Sequence, residues 1–233
     1  MGPYKPVPSE LLWQIQRAYQ FLWASSGLFI ELMIHQIDEC CWIKDAWPVA
    51  AHGFGGRAPG STDAGQNLDV YSMEYTFADG TKAFCGFRRI NRGESDFATY
   101  LHGTKSAAQF SGNVHAATVR MYRDQRVSDD HVAWTPEADA YSPWQYEWND
   151  FIASIRNDRP HNECQRAVYS DLTTLMGRAA CHTGQTVTWD QIMKSNFKFC
   201  PDVDRLTYDS PVPVKADESG QFPVPIPGQW TEI

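Results

Sequence analysis

The chain has 233 residues, of which 42% are hydrophobic and 21% charged, a composition typical of a globular protein with a sizeable core. Its formal net charge is −8 and its pI about 5.3, so its acidic surface argues against nucleic acid as a partner. No run of about 18 apolar residues occurs, so we expect no membrane span.

The N-terminal part predicts two consecutive helices. Ser9 is a suitable N-cap for a helix that runs to about Ser25. After Gly27, a second helix is expected from about Phe29 to Lys44. Its apolar residues cover most of its circumference, which indicates a buried helix.

From Pro48 onward, short alternating segments predict strands. Asp69–Phe77 and Thr81–Ile90 are joined by an Asp-Gly turn, which is typical of a hairpin. Further strands are expected at residues 48–54, 98–102, 107–111, 119–122 and 131–134. Hairpin-linked strands indicate the α+β class, with an open, largely antiparallel β-sheet and helices packed on one face.

Helices return towards the C-terminus. Pro143 begins one that runs to about residue 157, Asn162 begins a longer one to Thr183, and Thr188 caps a short third. The segment beyond Cys200 is rich in proline and predicts an extended arm on the surface. We therefore divide the chain into a leader with the first helix (1–26), an α+β domain (27–200) and a tail (201–233).

The six cysteines include no C-x-x-C pair, so the sequence predicts free thiols and no structural zinc site. The N-terminus also lacks the pattern of a secretory signal. A reduced, cytoplasmic protein is expected, and an export signal on an additional upstream segment stays open as an alternative.

Glu31, His35 and Asp38 form one polar stripe along the second predicted helix, because residues three and four apart share a helical face. A carboxylate beside an imidazole orients the ring, and such a histidine can accept or return a hydroxyl proton. Glu31 and His35 therefore predict an acid/base pair for the interconversion of an alcohol and a ketone. Two alternatives stay open: the three side chains satisfy one another structurally, or they bind a divalent ion.

The segment SGLFIELMIHQIDECCWI resembles the motif that opens the C-terminal domain of the Gfo/Idh/MocA oxidoreductases. Gly27, Glu31, His35, Asp38 and Trp42 match successive positions of that motif. Four later segments resemble the family in the right order, and with the motif they cover roughly residues 10–210: PVAAHGFGGR, YSMEYTFADGTKAF, YEWNDFIASIRNDRPHNE and MGRAACHTGQTVTWDQI.

The resemblance implies an oxidoreductase that uses NAD or NADP to oxidise a CH–OH group of a sugar, polyol or related compound. It implies that His35 is the general acid/base, that Glu31 holds it, and that Asp38 buttresses the helix. The family more often has Asp where this chain has Glu31, and the additional methylene shifts the carboxylate relative to His35.

The resemblance also implies a preceding Rossmann domain with a Glu-Lys-Pro segment, and this sequence contains no Glu-Lys-Pro. Residues 53–58, GFGGRA, fit G-x-G-x-x-A, but Pro59 and Gly60 follow and predict a loop instead of a helix. We therefore expect no cofactor-binding residue in this chain and no activity of the chain alone. The alternative function is a non-enzymatic sugar-binding or assembly module.

Two further expectations concern surfaces. Arg57 and Arg89 are candidate ligands of substrate hydroxyls or a carboxylate, with pairing to acidic residues as the alternative. The predicted strand Asp69–Phe77 is expected to contribute to an open sheet face that forms the interface of a homo-oligomer. The residues assigned to this face are Tyr71, Met73, Tyr75 and Phe77.

Overall fold

The computed structural model describes residues 7–112, 118–137 and 141–233. They form two compact units, one of residues 7–92 and 169–233, the other of the described residues within 93–168. The predicted α+β class with open antiparallel sheets is confirmed, and the strands form two four-stranded sheets.

The first unit begins with α1 (Glu10–Gln16), capped by the Ser9 side chain, followed by a 3-10 turn, α2 (Leu22–Ser25) and α3 (Leu28–Lys44). The prediction of one continuous helix up to Ser25 is wrong. Helix α1 ends at Gln16, with Arg17 as its C-cap. Phe21 adopts extended backbone and is fully buried against Trp13 and Phe222, and it separates the 3-10 turn from α2.

The sheet of the first unit has the order β3-β2-β1-β8, with all neighbours antiparallel. Its strands are β1 (Ala50–Gly56), β2 (Val70–Thr76), β3 (Lys82–Arg88) and β8 (Val187–Thr188). β2 and β3 form the predicted hairpin, whose turn contains Gly80 with φ +84°.

The assignment of the open sheet face is corrected by the structure. The four residues predicted to be on it are between 1% and 4% exposed and form the core instead: Tyr71, Met73, Tyr75 and Phe77. Because side chains alternate along a strand, the open face carries the intervening residues. It presents Phe54 and Phe84, which are 66% and 79% exposed.

Helix α5 (Cys164–Thr183) packs its later turns against this core. Gly177 makes the close approach possible, since a Cβ atom at this position would lie 1.9 Å from Tyr75 Oη and 2.9 Å from Met73 Sδ. The helix therefore contacts the sheet through its backbone at this point, which fixes the distance between the two layers.

Among its described residues, the second unit contains a sheet of order β4-β5-β6-β7, helix α4 and the first turn of α5. The elements are β4 (Thr99–His102), β5 (Ala107–Ser111), β6 (Arg120–Tyr122), β7 (Val132–Trp134) and α4 (Pro143–Arg156). Pro143 begins α4, as predicted, and the Ser142 side chain caps it.

The C-terminal segment starts with α6 (Trp189–Lys194), for which Thr188 and Gln191 form a capping box. Residues 195–233 are all described and contain one short 3-10 turn, Val203–Arg205, and no other helix or strand. None of the described helices is long and apolar enough to cross a membrane.

Candidate functional site: the polar face of helix α3

Helix α3 begins at a tight turn held by side chains from elsewhere in the first unit. Ser26 and Gly27 both have positive φ, +64° and +88°. A Cβ atom on Gly27 would lie 2.9 Å from Asn67 Oδ1, and that oxygen accepts a hydrogen bond from Leu28 N at 2.9 Å. Glycine therefore permits the capping contact that fixes where α3 starts.

The two sides of α3 differ in burial. The buried residues point to the core and include Phe29, Ile30, Met33, Ile37 and Cys41. On the opposite side, Glu31 and His35 are exposed one turn apart, and Trp42, two turns beyond His35, is 63% exposed. The predicted acid/base pair thus lies on the solvent-facing side of a helix whose other side is anchored in the core.

Asp38 links this face to α5. Ser170 Oγ donates a hydrogen bond of 2.5 Å to Asp38 Oδ1, and Ser170 is itself buried. The contact is the kind expected of a residue that buttresses the helix, and that role of Asp38 stays a prediction. Ser170 was not identified from the sequence, because a serine within a helix carries no distinguishing pattern.

Asp171, the next residue on α5, is a half-buried carboxyl that sequence reasoning also missed. Burial raises its pKa, although the positive charge of Arg178 opposes the shift.

The two predicted arginine ligands bind the loop between β1 and β2. Arg57 Nη2 donates to Gly65 O at 2.8 Å and to Asn67 O at 2.9 Å, and it pairs with Asp63 at 3.1 Å. Arg89 Nη1 pairs with the same carboxylate at 2.9 Å. Both guanidinium groups thus stabilise the loop that carries Asn67, and their role as substrate ligands stays a prediction.

The chain's glycine-rich segment does not fit the pyrophosphate of a dinucleotide. Gly53–Gly56 lie inside β1 and pair in register with Val70–Met73. A dinucleotide loop must instead lead directly into a helix, whose N-terminal amides bind the phosphates. The next element here is strand β2, so these residues cannot serve that function.

Behind the start of α3 lies a buried polar cluster of four side chains. Glu232 Oε2 is 2.9 Å from His182 Nδ1, Glu232 Oε1 is 3.1 Å from Arg178 Nε, and His182 Nε2 is 3.1 Å from Tyr71 Oη. A neutral His182 that donates from Nδ1 and accepts at Nε2 satisfies both of its contacts. The arginine and glutamate charges then balance each other.

Burial and neighbouring charges set the protonation of this cluster. Burial lowers the pKa of His182, and the Glu232 carboxylate offsets only part of the shift. Burial alone would raise the pKa of Glu232, but the positive charge of Arg178, with hydrogen bonds from His182 and Trp230, holds it at about 2. Glu232 is therefore a fully ionised anchor at neutral pH.

The cysteines are free thiols, as predicted. Burial raises the pKa of Cys85 and of Cys181 to about 12, so neither is a nucleophile at neutral pH. Among the described residues, no group of three or more histidine, cysteine or acidic side chains is arranged to hold a metal ion.

No family model matches the chain, and no curated protein matches it. Several solved structures match the chain. An aldose-aldose oxidoreductase from Caulobacter crescentus, complexed with glycerol, superposes with a TM-score of 0.59 at 14% identity, over 78% of this chain and 52% of that protein. GenD2 from gentamicin A biosynthesis, in complex with NAD, has a TM-score of 0.54 at 17% identity, over 73% and 50%. A probable dehydrogenase from Thermotoga maritima has a TM-score of 0.53 at 14% identity, over 80% and 54%.

The chain spans about half the length of these proteins. One of them is an oxidoreductase, one is a probable dehydrogenase, and GenD2 is a complex with NAD. The predicted resemblance is thereby confirmed at the level of the fold, which the chain shares with about half of the length of each of these proteins.

Proposed function

We propose that this chain is the substrate-binding and proton-transferring part of an NAD(P)-dependent oxidoreductase that acts on a CH–OH group of a sugar, polyol or related compound. The observation that carries the proposal is the position of Glu31 and His35. They lie one turn apart on the exposed side of a helix whose opposite side is packed into the core.

In the proposed reaction His35 accepts the proton of the substrate hydroxyl during oxidation and returns it during reduction. Glu31, one turn earlier, orients the imidazole for this transfer. Asp38, held by Ser170, keeps this part of α3 in place against α5. A nicotinamide supplies the hydride chemistry when bound, and residues outside this chain would have to hold its pyrophosphate.

The solvent exposure of His35 is consistent with this role. A residue that meets both a substrate and a nicotinamide from another domain cannot be sealed in its own core. Trp42, 63% exposed on the same side of α3, offers a flat apolar surface of the kind that packs against a pyranose ring. Sugars and polyols are also consistent with the neighbours, among them the aldose-aldose oxidoreductase complexed with glycerol.

Calorimetric titration tests the proposal. The chain is titrated with glycerol, myo-inositol, D-glucose, NAD and NADP, and the measurements are repeated on His35→Ala and on His102→Ala, an exposed histidine of the second unit. We expect binding of at least one polyol, no binding of either dinucleotide, and about tenfold weaker polyol binding in His35→Ala only, the loss of roughly one hydrogen bond.

Each other outcome argues against the proposal. Dinucleotide binding by the isolated chain would contradict the assignment of the cofactor site to residues outside it. Polyol binding that is unchanged in His35→Ala would favour a non-enzymatic sugar-binding module. Absence of binding of all three compounds, glycerol, myo-inositol and D-glucose, would remove the support for a substrate site on α3.

We also propose that the open face of the first sheet pairs with a second copy of the chain. Phe54 and Phe84 are 66% and 79% exposed on that face, and large apolar side chains exposed on an uncovered sheet favour association. Sedimentation at micromolar concentration should show a dimer or larger species that Phe84→Ser dissociates. Tyr208→Ser, at a tail residue that is 75% exposed, is the matched control and should leave the mass unchanged. A monomeric wild-type chain would refute this interface.

A further inference from the structure

The C-terminal tail is fastened to the first unit at a few widely spaced points. Gln14 Nε2 donates to Val214 O at 2.7 Å, and Gln66 Nε2 donates to Pro223 O at 3.1 Å. Further along, Gly228 N donates to Thr183 O at 2.8 Å, at the end of α5. The tail has no internal helix or strand to hold it between these points, so each contact matters for its position.

A further anchoring point, at Glu232, is deeply buried. The side chain of Glu232 is fully buried, and Trp230 Nε1, Arg178 Nε and His182 Nδ1 all lie within 3.1 Å of its carboxylate oxygens. A buried carboxylate is costly unless it is paired. The contacts with Arg178 and His182 supply that pairing, and they tie the tail to α5.

Arg178 connects this anchor to the start of α3. One edge of its guanidinium binds Glu232, and Nη1 donates to Ser26 O at 3.2 Å. Ser26 and Gly27 form the left-handed turn that leads into α3. Because a guanidinium is planar and rigid, a carboxylate that fixes the orientation of one edge also fixes the orientation of the opposite edge.

We propose that Glu232 and Arg178 are positioning residues, through which the C-terminal tail fixes the start of helix α3 and hence the placement of Glu31 and His35. The catalytic importance of this placement rests on the proposed function. The mechanical link from the tail to α3 does not, and it can be measured in the absence of substrate.

The test compares Glu232→Gln, which keeps the side-chain shape and removes the charge, with Glu218→Gln at an exposed position of the same tail. Amide hydrogen exchange is followed at residues 28–31, at Gly228 and in the interior of β2, and the ring signals of His35 are followed by NMR. In Glu232→Gln we expect at least tenfold faster exchange at residues 28–31 and at Gly228, with shifted His35 signals and unchanged exchange in β2.

Arg178→Lys is the second variant, since it keeps the positive charge but cannot contact the carboxylate and Ser26 O in the same geometry. It should reproduce the changes at residues 28–31 and at His35. It also keeps the proposal testable if Glu232→Gln does not fold.

Two results would overturn the link. Faster amide exchange at Gly228 with unchanged exchange at residues 28–31 would mean that Glu232 holds only the tail in place. Equal amide exchange rates and equal His35 ring signals in Glu232→Gln and Glu218→Gln would mean that the buried carboxylate has no positioning effect. Failure of the polyol titrations alone would instead argue against the proposed function and leave this link intact.

Discussion

Replacing Gly177 by alanine tests whether the close contact between α5 and the sheet is as tight as the structure indicates. The new Cβ atom would lie 1.9 Å from Tyr75 Oη, 2.7 Å from Tyr75 Cζ and 2.9 Å from Met73 Sδ. Both neighbours are 3% exposed, so neither side chain can move aside into solvent. We expect a loss of about 3 kcal/mol, the upper end of the usual cost of overpacking a core.

For a chain of this length, that loss corresponds to a melting temperature lowered by roughly 10 °C. Differential scanning fluorimetry measures the shift, with Gly86→Ala as the control. Gly86 is on the open face of β3, where a Cβ atom meets nothing within 4 Å, so its replacement should change the melting temperature little.

A second replacement separates overpacking from a helix-propensity effect. Tyr75→Phe removes the atom at 1.9 Å and leaves Cζ at 2.7 Å, so the double variant should recover part of the lost stability. Equal melting temperatures for Gly177→Ala and Gly86→Ala would refute the close approach of α5.

Three further predictions concern the buried polar groups. The pKa values of His182 and Glu232 are lowered in the folded state, so unfolding takes up protons; urea midpoints should fall as the pH drops below about 6.5, and again below about 4.5. Glu232→Gln should be about 3 kcal/mol less stable than the wild type at pH 7, and the difference should narrow at pH 3, where part of the Glu232 contribution is already lost. A constant difference from pH 7 to pH 3 would contradict the assigned ion pair. Ser170→Ala should cost about 1 kcal/mol by removing the donor to Asp38, whereas Ser154→Ala on the exposed surface of α4 should be neutral in the same urea titration.

The strands and most helices were predictable from the sequence because their signals are local. The Asp-Gly turn joins β2 and β3 in the observed hairpin, Thr188 caps the helix that it was expected to cap, and Pro143 begins the helix that it was expected to begin. The polar stripe of α3 was equally visible, since three- and four-residue spacing alone determines which side chains share a helical face.

The failures have a common physical origin in contacts between distant parts of the chain. Alternation along β2 showed that Tyr71 and Met73 share a face, but large apolar residues suit a core and an interface equally well. The break before α2 depends on Phe222, far along the chain, which packs on Phe21. The Glu232–Arg178 pair likewise joins a polar tail to α5, and no local pattern indicates its partner.

The central claim is that a polyol binds against His35 on the exposed side of α3, and NMR of the histidine side chains tests it most directly. Labelled chain is titrated with glycerol, myo-inositol and D-glucose, and the ring signals of His35 and His102 are followed separately. We predict that at least one of these compounds shifts the His35 signals in a saturable manner, leaves His102 unchanged, and loses this effect in Glu31→Ala. A compound that binds the chain while the His35 signals stay constant would contradict the account.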